Sequence, residues 1–195
     1  MSTRLVEMSR RTAETEITLK LDPDGEGRAE IATGLGFLDH MLTALTRHAG
    51  WDLSLSCQGD LQVDDHHTAE DCALVLGRAL GQVTRSTGSV QRFGWARVPM
   101  DEALADVAVD FGGRPWPAID LGLTRPTLGT MATENLTHFL VTLAMEARCN
   151  LHVDVVRGEN DHHRTEAAFK GLALALTQAL AARPGPVRST KEVIA

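Results

Sequence analysis

The chain has 195 residues, of which 43% are hydrophobic, and a formal net charge of -7. This charge argues against a general nucleic-acid binder, although a few clustered Arg and Lys side chains can hold a small anion within an acidic protein. No apolar run approaches the roughly 18 residues that cross a membrane, and the amino terminus has no apolar signal core. Three widely separated cysteines fit a reducing compartment, so we expect a cytoplasmic protein with no membrane or nucleic-acid partner.

The first half of the chain alternates strand-like and helix-like patterns. Residues 16–21 alternate between polar and apolar side chains, and a Pro-Asp-Gly turn leads to a second strand at 28–31. Residues 37–49 carry apolar side chains at helical spacing, and 51–57 alternate as a half-buried strand does. After a polar turn, a long helix opens with a His-His pair and continues to about Arg85.

The second half repeats this order. Strand-like sequence covers 103–111 and 116–121, and a helix covers 136–147. An alternating strand at 150–155 and a turn precede another helix that opens with a His-His pair. The linker at 124–133 has no counterpart in the first half.

Each half is therefore predicted to run strand, strand, helix, strand, an optional fourth strand, and helix. This order predicts an α+β protein in which helices cover one face of a mostly antiparallel sheet. We expect two similar halves, residues 1–90 and 91–195, each with a four-stranded sheet and two helices, within one compact unit.

A doubled histidine motif is the main functional signal. The sequence His-His-x-x-Glu occurs twice, and each copy has a lone histidine on the helix before it; the eight residues are His40, His66, His67, Glu70, His138, His162, His163 and Glu166. One such motif alone is usually polar surface. Two copies at matched positions, each with an upstream histidine, favour metal binding.

Helical geometry limits how each motif can be used. Adjacent histidines on a helix diverge by about 100°, whereas a residue and the one four positions later share a face. Each motif is therefore expected to serve two sites, which gives three His and one Glu per ion, with the ions shared across halves or chains. Asp65 and Asp161, just before the pairs, are predicted either to cap the helices or to hold a histidine N–H. Imidazole-rich sets also suit zinc, iron and nickel, so this pattern leaves the metal open.

Several sequence motifs resemble those of one enzyme family. They are Arg11-Thr12-x-Glu14-Thr15, Gly36 to Leu42, Asp64 to Asp71 around the first His-His pair, Met100-Asp101-Glu102-Ala103, Asn160 to Lys170 around the second pair, and Ser189-Thr190-Lys191. Over nearly the whole chain, the sequence resembles imidazoleglycerol-phosphate dehydratases of histidine biosynthesis. No fused phosphatase domain is present, so the monofunctional form is expected.

The resemblance implies a fold, an assembly and a reaction. The implied fold has two halves of the ribosomal protein S5 domain 2-like type. The implied assembly has trimers that form a 24-subunit shell, with active sites between subunits. Two Mn²⁺ ions per active site would act as Lewis acids and as a template. The implied reaction removes water from imidazole glycerol phosphate to give imidazole acetol phosphate.

Acid–base and phosphate-binding roles are assigned on the same resemblance. Glu14, which is also expected to contact substrate, is the first candidate for the base, because the metal sets are complete without it; Glu166 is the second. The cations and hydroxyls expected at the phosphate are Arg92, Arg114, Lys170, Ser189, Thr190 and Lys191. His48 is expected either to contact substrate or to act only as a cation at the end of its helix.

Two other functional classes remain open from the sequence. A dinuclear metallohydrolase acting on a small phosphoester would ordinarily use more bridging carboxylates than two glutamates. A non-catalytic metal-binding shell would need neither Glu14 nor the cluster of Arg and Lys side chains.

Overall fold

A computed structural model describes residues 4–191 and shows two consecutive α+β units. The elements of the first unit are β1 (Val6–Arg11), β2 (Thr15–Asp22), β3 (Ala29–Ala32), α1 (Gly36–Ala49), β4 (Asp52–Gly59) and α2 (His66–Ser86). Its sheet has the strand order β1-β2-β4-β3, in which only the β3–β4 pair is parallel.

The second unit repeats this topology. Its elements are β5 (Phe93–Met100), β6 (Ala103–Asp110), β7 (Trp116–Asp120), the short β8 (Thr127–Leu128) and β9 (Met131–Ala132), α3 (Thr133–Ala147), β10 (Asn150–Arg157) and α4 (Asp161–Leu180). The sheet order is β5-β6-β10-β7, again with one parallel pair, β7–β10. The predicted fold class, α+β with two similar halves, is confirmed.

The four helices lie together between the two sheets. In β2, side chains alternate strictly between buried and exposed, and Ile17, Leu19 and Leu21 face the helices. The helices then pack across the halves, α1 against α4 and α2 against α3. The result is one continuous hydrophobic core that includes residues of both halves.

Two glycines permit close backbone approaches between packed elements, one between two helices and one between a strand and a helix. A Cβ on Gly77 of α2 would lie 2.7 Å from the carbonyl oxygen of Leu143 on α3. A Cβ on Gly94 of β5 would lie 1.9 Å from the carbonyl oxygen of Ala175 on α4. Because both obstacles are backbone atoms, neither could move aside without shifting a whole element.

The position predicted for the fourth strand is wrong. It comes first in each half, as β1 and β5, and does not lie between the third strand and the last helix. In β1 the inward-facing positions are Val6, Met8 and Arg10, so a charged residue interrupts the apolar alternation that would have identified the strand. The linker at 124–133 also contains the β8–β9 hairpin.

Among residues 4–191, no helix is both long and apolar enough to cross a membrane.

The contact at Gly94 gives a test of the packing. Gly94→Ala should lower the stability of the folded protein by about 1–3 kcal/mol, because the new methyl group meets the α4 backbone. Thermal unfolding at a fixed subunit concentration measures the effect. The control is Gly36→Ala: no atom lies within 4 Å of a Cβ added there, so its stability should stay within about 1 kcal/mol of the parent. Equal midpoints for the two variants would contradict the packing described.

Candidate metal centres and active site

The first cluster of possible metal ligands combines residues of both halves. His40 on α1 lies beside His162 and Glu166 on α4, and one ligand atom from each lies within 4.8 Å of the other two. The Nε2 atoms of His40 and His162 are 3.6 Å and 3.2 Å from Glu166 Oε2. The other oxygen, Oε1, accepts a hydrogen bond from Lys170 Nζ at 2.8 Å.

The second cluster has the same construction with the halves exchanged. His138 on α3 meets His66 and Glu70 on α2, and the ligand atoms again lie within 4.8 Å of one another. Glu70 Oε1 is 3.0 Å from His138 Nε2, and Oε2 is 3.9 Å from His66 Nε2. Asn135 Oδ1 lies 3.0 Å from His66 Nδ1, so His66 can donate from that atom and present Nε2 as a lone pair.

The second histidine of each pair belongs to neither cluster. His67 Nδ1 is 3.1 Å from Asp60 Oδ2, and His163 Nδ1 is 2.7 Å from Glu102 Oε2. Since a carboxylate can only accept, each Nδ1 donates its hydrogen and Nε2 remains available. These hydrogen bonds raise the pKa of both imidazoles, because they favour the protonated ring. The two rings thus have the carboxylate–histidine arrangement that is common at metal sites.

A second carboxylate stands near each of these free nitrogens. Glu14 Oε1 lies 3.7 Å from His67 Nε2, and Asp101 Oδ2 lies 3.7 Å from His163 Nε2. Both belong to hairpins that connect the first two strands of a half. The Glu14 side chain is half-exposed, and no side-chain hydrogen bond holds it among residues 4–191.

Glu102 is at the position in the second hairpin that corresponds to Glu14, yet its environment is different. Its Oε1 accepts from the backbone N–H groups of Glu159 and Asn160, and its Oε2 accepts from His163. These donors, the Asn160 N–H first among them, lower the pKa of Glu102 to about 2. Within residues 4–191, one hairpin therefore presents a carboxylate free of such bonds, and the other a carboxylate fixed by three.

Glu166 is ionised for a different reason. Burial alone would raise its pKa, but the hydrogen bond and charge of Lys170, with His40 and His162 nearby, outweigh burial and lower it. Lys170 is therefore a partner of Glu166, and its Nζ also lies 3.3 Å from Met100 Sδ. It does not line the cationic cavity described below.

The predicted roles of Asp65 and Asp161 are wrong. Asp65 accepts from the backbone N–H of Ala132 just before α3, and Asp161 accepts from the N–H groups of Thr124 and Arg125. These hydrogen bonds connect the linker at 124–133 to the starts of α2 and α4. The helix starts themselves are bonded by neighbours: Asp64 and Asn160 accept from the N–H groups of His66 and His162.

A cavity of about 480 Å³ lies at the carboxyl-terminal end of the described chain. It is lined by Arg92, Gly112, Arg114, Arg188, Ser189, Thr190 and Lys191. The structure thus brings together five of the six cations and hydroxyls expected at the phosphate and adds Arg188, which the sequence motifs did not identify. Among residues 4–191, four cationic side chains and no carboxylate line the cavity, so an anion fits its charge.

Arg92 is held rigidly at this cavity. Its guanidinium makes two hydrogen bonds to Asp110, of 2.6 Å and 3.0 Å, and its Nη1 donates to the carbonyl of Arg188 at 2.6 Å. Its backbone has φ 73°, which is uncommon for a residue with a side chain. His48 does not line this cavity; it is exposed near the end of α1, two helical turns beyond His40.

Comparisons with known proteins identify the family. Residues 33–176 match the sequence model described as imidazoleglycerol-phosphate dehydratase. The protein of that name from Chlorobaculum parvum is 46% identical over 98% of this chain and 99% of its own length. The one from Phytophthora nicotianae is 50% identical over 98% of this chain, which spans only 43% of that longer protein. The chain belongs to the imidazoleglycerol-phosphate dehydratase family.

Solved structures of imidazoleglycerol-phosphate dehydratases have the same fold. The Staphylococcus aureus enzyme superimposes with a TM-score of 0.83 at 36% identity, covering 92% of this chain and 99% of that one. A structure from Pyrococcus furiosus gives 0.82 at 38% identity, covering 95% and 99%. As a member of a dehydratase family, the protein is an enzyme of the hydro-lyase class.

The bonds of Glu102 predict a specific pH dependence for this dehydratase. Its pKa in the folded protein, about 2, lies below the ordinary value of 4.5. The stabilisation is therefore fully present above about pH 4.5 and is lost as pH falls towards 2. Glu102→Gln should have a lower free energy of unfolding than the parent at pH 7. The difference in free energy of unfolding should be smaller at pH 3.5. Urea denaturation at both pH values measures it.

The control is Glu30→Gln, since Glu30 is exposed and has no side-chain partner among residues 4–191. This variant should match the parent at both pH values. A gap for Glu102→Gln that is as wide at pH 3.5 as at pH 7 would contradict the assignment of these hydrogen bonds.

Proposed function

We propose that this protein converts imidazole glycerol phosphate to imidazole acetol phosphate and water, a step of L-histidine biosynthesis, in the cytoplasm. The observation that carries the proposal is the pair of matched clusters, each with two histidines and one glutamate and each assembled from both halves. The family membership supplies the substrate. Three buried cysteines, all free thiols, support the reducing location.

Each cluster offers two imidazole nitrogens and one carboxylate, a donor set that suits a divalent transition metal with open positions. We propose Mn²⁺ at both, held by His40, His162 and Glu166 at one and by His66, His138 and Glu70 at the other. When bound, the two ions supply Lewis acidity at the substrate imidazole and fix its orientation.

We further propose that His67 and His163 each complete the set of a neighbouring subunit. Each ring is fixed by a carboxylate at Nδ1, and neither ring belongs to a cluster of its own chain. This gives three His and one Glu per ion only in an assembly. A shell of 24 subunits built from trimers, with active sites between subunits, satisfies that requirement and agrees with the family resemblance.

Glu14 is our proposed base. Its carboxylate is half-exposed and lies 3.7 Å from His67 Nε2, so wherever His67 reaches a neighbouring site, Glu14 accompanies it. There it would accept the proton from the second side-chain carbon, counted from the ring. The electrons of that C–H bond form the carbon–carbon double bond of the enol, while the hydroxyl on the carbon beside the ring leaves with its bonding electrons and takes up a proton from solvent to become water. The resulting enol then tautomerises to the ketone.

Glu166 is less suited to this step. Lys170 and two histidines hold it as an ionised, nearly buried carboxylate within a cluster. Its contribution in the proposal is to bind an ion, and Lys170 keeps it charged. The phosphate is assigned to the cationic cavity, where Arg92, Arg114 and Lys191 supply positive charge and Ser189 and Thr190 supply hydroxyl donors.

The two other functional classes fit the geometry less well. A dinuclear hydrolase would need a carboxylate that bridges both ions, whereas each cluster has its own glutamate and shares none with the other. A storage shell would have no need for a cavity lined by four cations.

The direct test is turnover of imidazole glycerol phosphate by the manganese-loaded protein, followed by ultraviolet absorbance of the product. The parent should form product, and Glu14→Gln should lose about 10²- to 10⁴-fold in kcat, since the base is removed. The control is Glu16→Gln, which changes a neighbouring exposed carboxylate whose ion pair among residues 4–191 is with Arg11, and it should retain activity. A fully active Glu14→Gln would overturn the base assignment, and an inactive parent with metal bound would overturn the reaction.

Metal content tests the crosswise clusters. At saturating Mn²⁺, His40→Ala should reduce the content from two ions per chain to one, because one cluster loses a ligand. Adding His162→Ala should change nothing further, since both residues belong to the same cluster. The double variant His40→Ala/His66→Ala should instead lose both ions, since these residues belong to different clusters. Elemental analysis after gel filtration measures the content, and the reverse pattern for the two double variants would show that each cluster belongs to one half.

A further inference from the structure

A polar trio, in which Asp71 and Thr15 are buried and Arg10 is partly exposed, connects β1, β2 and α2 of the first half. Asp71 Oδ1 on α2 accepts a hydrogen bond from Arg10 Nε on β1 at 3.0 Å, and Arg10 Nη2 lies 2.9 Å from the same oxygen. Its other oxygen accepts from the hydroxyl of Thr15 on β2 at 2.5 Å. Asp71 and Thr15 are 5% and 3% exposed. This trio takes no part in the clusters or in the cationic cavity.

The repeat contains an internal comparison for this trio. The strand registers make Val98 equivalent to Arg10, since Arg10 pairs with Ile17 and Val98 with Ala105. By the same comparison Ala103, the first residue of β6, is equivalent to Thr15, the first residue of β2.

The third position follows from the helices. Ala167 is equivalent to Asp71, because each follows the glutamate of its His-His-x-x-Glu motif. Ala103 and Ala167 are both almost completely buried. The second half therefore builds the same topology with apolar side chains at all three positions, and the topology does not require the polar trio.

The trio is adjacent to the hairpin that carries Glu14. The Thr12 hydroxyl accepts from the N–H groups of Glu14 and Thr15, at 3.1 Å and 3.0 Å. The carbonyl of Glu14 accepts from the N–H of Asp60 at 3.1 Å. The next side chain along the hairpin, Thr15, is bound to Asp71. The hairpin is thus anchored to the helix turn that also carries Glu70.

A difference between the two hairpins explains why only one needs this anchor. Glu102 fixes its own hairpin, because its carboxylate accepts from three donors. Glu14 cannot be tied in this way and still accept a proton. Its hairpin has to be held through another residue, and the bond between Thr15 and Asp71 does this.

Stability alone is a weak explanation for the trio. The Asp71 carboxylate loses hydration on burial, and apolar residues in place of buried ion pairs often stabilise a protein as well or better. A fixed geometry is a better explanation, since a displacement of about 1 Å at a reacting group can cost about 100-fold in rate.

We propose that Asp71 is a positioning residue, which acts through Thr15 and Arg10 to hold the Glu14 carboxylate in place for proton transfer. This inference rests on the proposed dehydratase function.

The test replaces the trio with the residues of the second half, in the variant Arg10→Val/Thr15→Ala/Asp71→Ala. In the assembled, manganese-loaded enzyme, kcat should fall about 10- to 100-fold, while KM stays within about twofold and metal content is unchanged. In a Glu14→Gln background the same triple change should reduce kcat by less than about twofold, because a positioning residue has no effect once the group it positions is absent. The control Arg78→Gln, which breaks the α2–α3 ion pair with Glu146, should have the activity of the parent.

Hydrogen–deuterium exchange tests the positioning without relying on turnover. Peptides covering 12–16 should exchange about tenfold faster in the triple variant, whereas those covering 100–104 should be unchanged. Unchanged exchange at 12–16 would overturn the inference, as would a kcat equal to that of the parent or an equal loss of kcat in both Glu14 backgrounds. An inactive parent would reject the proposed function, and the exchange result would then decide by itself whether Asp71 holds the hairpin.

Discussion

The crosswise packing of four helices determines where every cluster residue lies. The pairs α1–α4 and α2–α3 each join one half to the other. Each upstream histidine therefore faces the motif of the opposite half, and both clusters depend on the shared core. Gly77 keeps α2 and α3 close, since any side chain there would meet the α3 backbone. The sheets on either side contribute the hairpins, which bring carboxylates to the edges of this layer.

Divergence along a helix gives the paired histidines their different roles. The first histidine of each pair lies in one of the two clusters, together with the glutamate four residues later. The second points elsewhere and is fixed by a carboxylate outside its helix. In the proposed function, this divergence is why one chain cannot complete its own sites. It also makes the hairpins part of the site, since each hairpin reaches the free nitrogen of a second histidine.

Much of the fold followed from the sequence, because the apolar spacings of α1, α2 and β4 are regular and the motif is doubled. Local patterns failed where a residue has a long-range partner. Arg10 interrupts the alternation of β1, and only its bond to Asp71 explains a charge at an inward-facing position. The partners of the histidines, Asp60 and Glu102, come from loops whose approach to the helices depends on tertiary packing. Asp65 and Asp161 occupy sequence positions typical of caps, yet the linker supplies better-placed donors.

The exchange of partners between halves has a consequence for symmetry. A single half would carry its lone histidine and its histidine pair on helices that do not face each other, and it would contain no complete cluster. Two identical copies of one half, related by a twofold axis, would contain two equivalent clusters at once. The present chain corresponds to such a pair joined end to end, but its two hairpins differ: among residues 4–191, the Glu102 carboxylate is fixed by three hydrogen bonds and the Glu14 carboxylate by none.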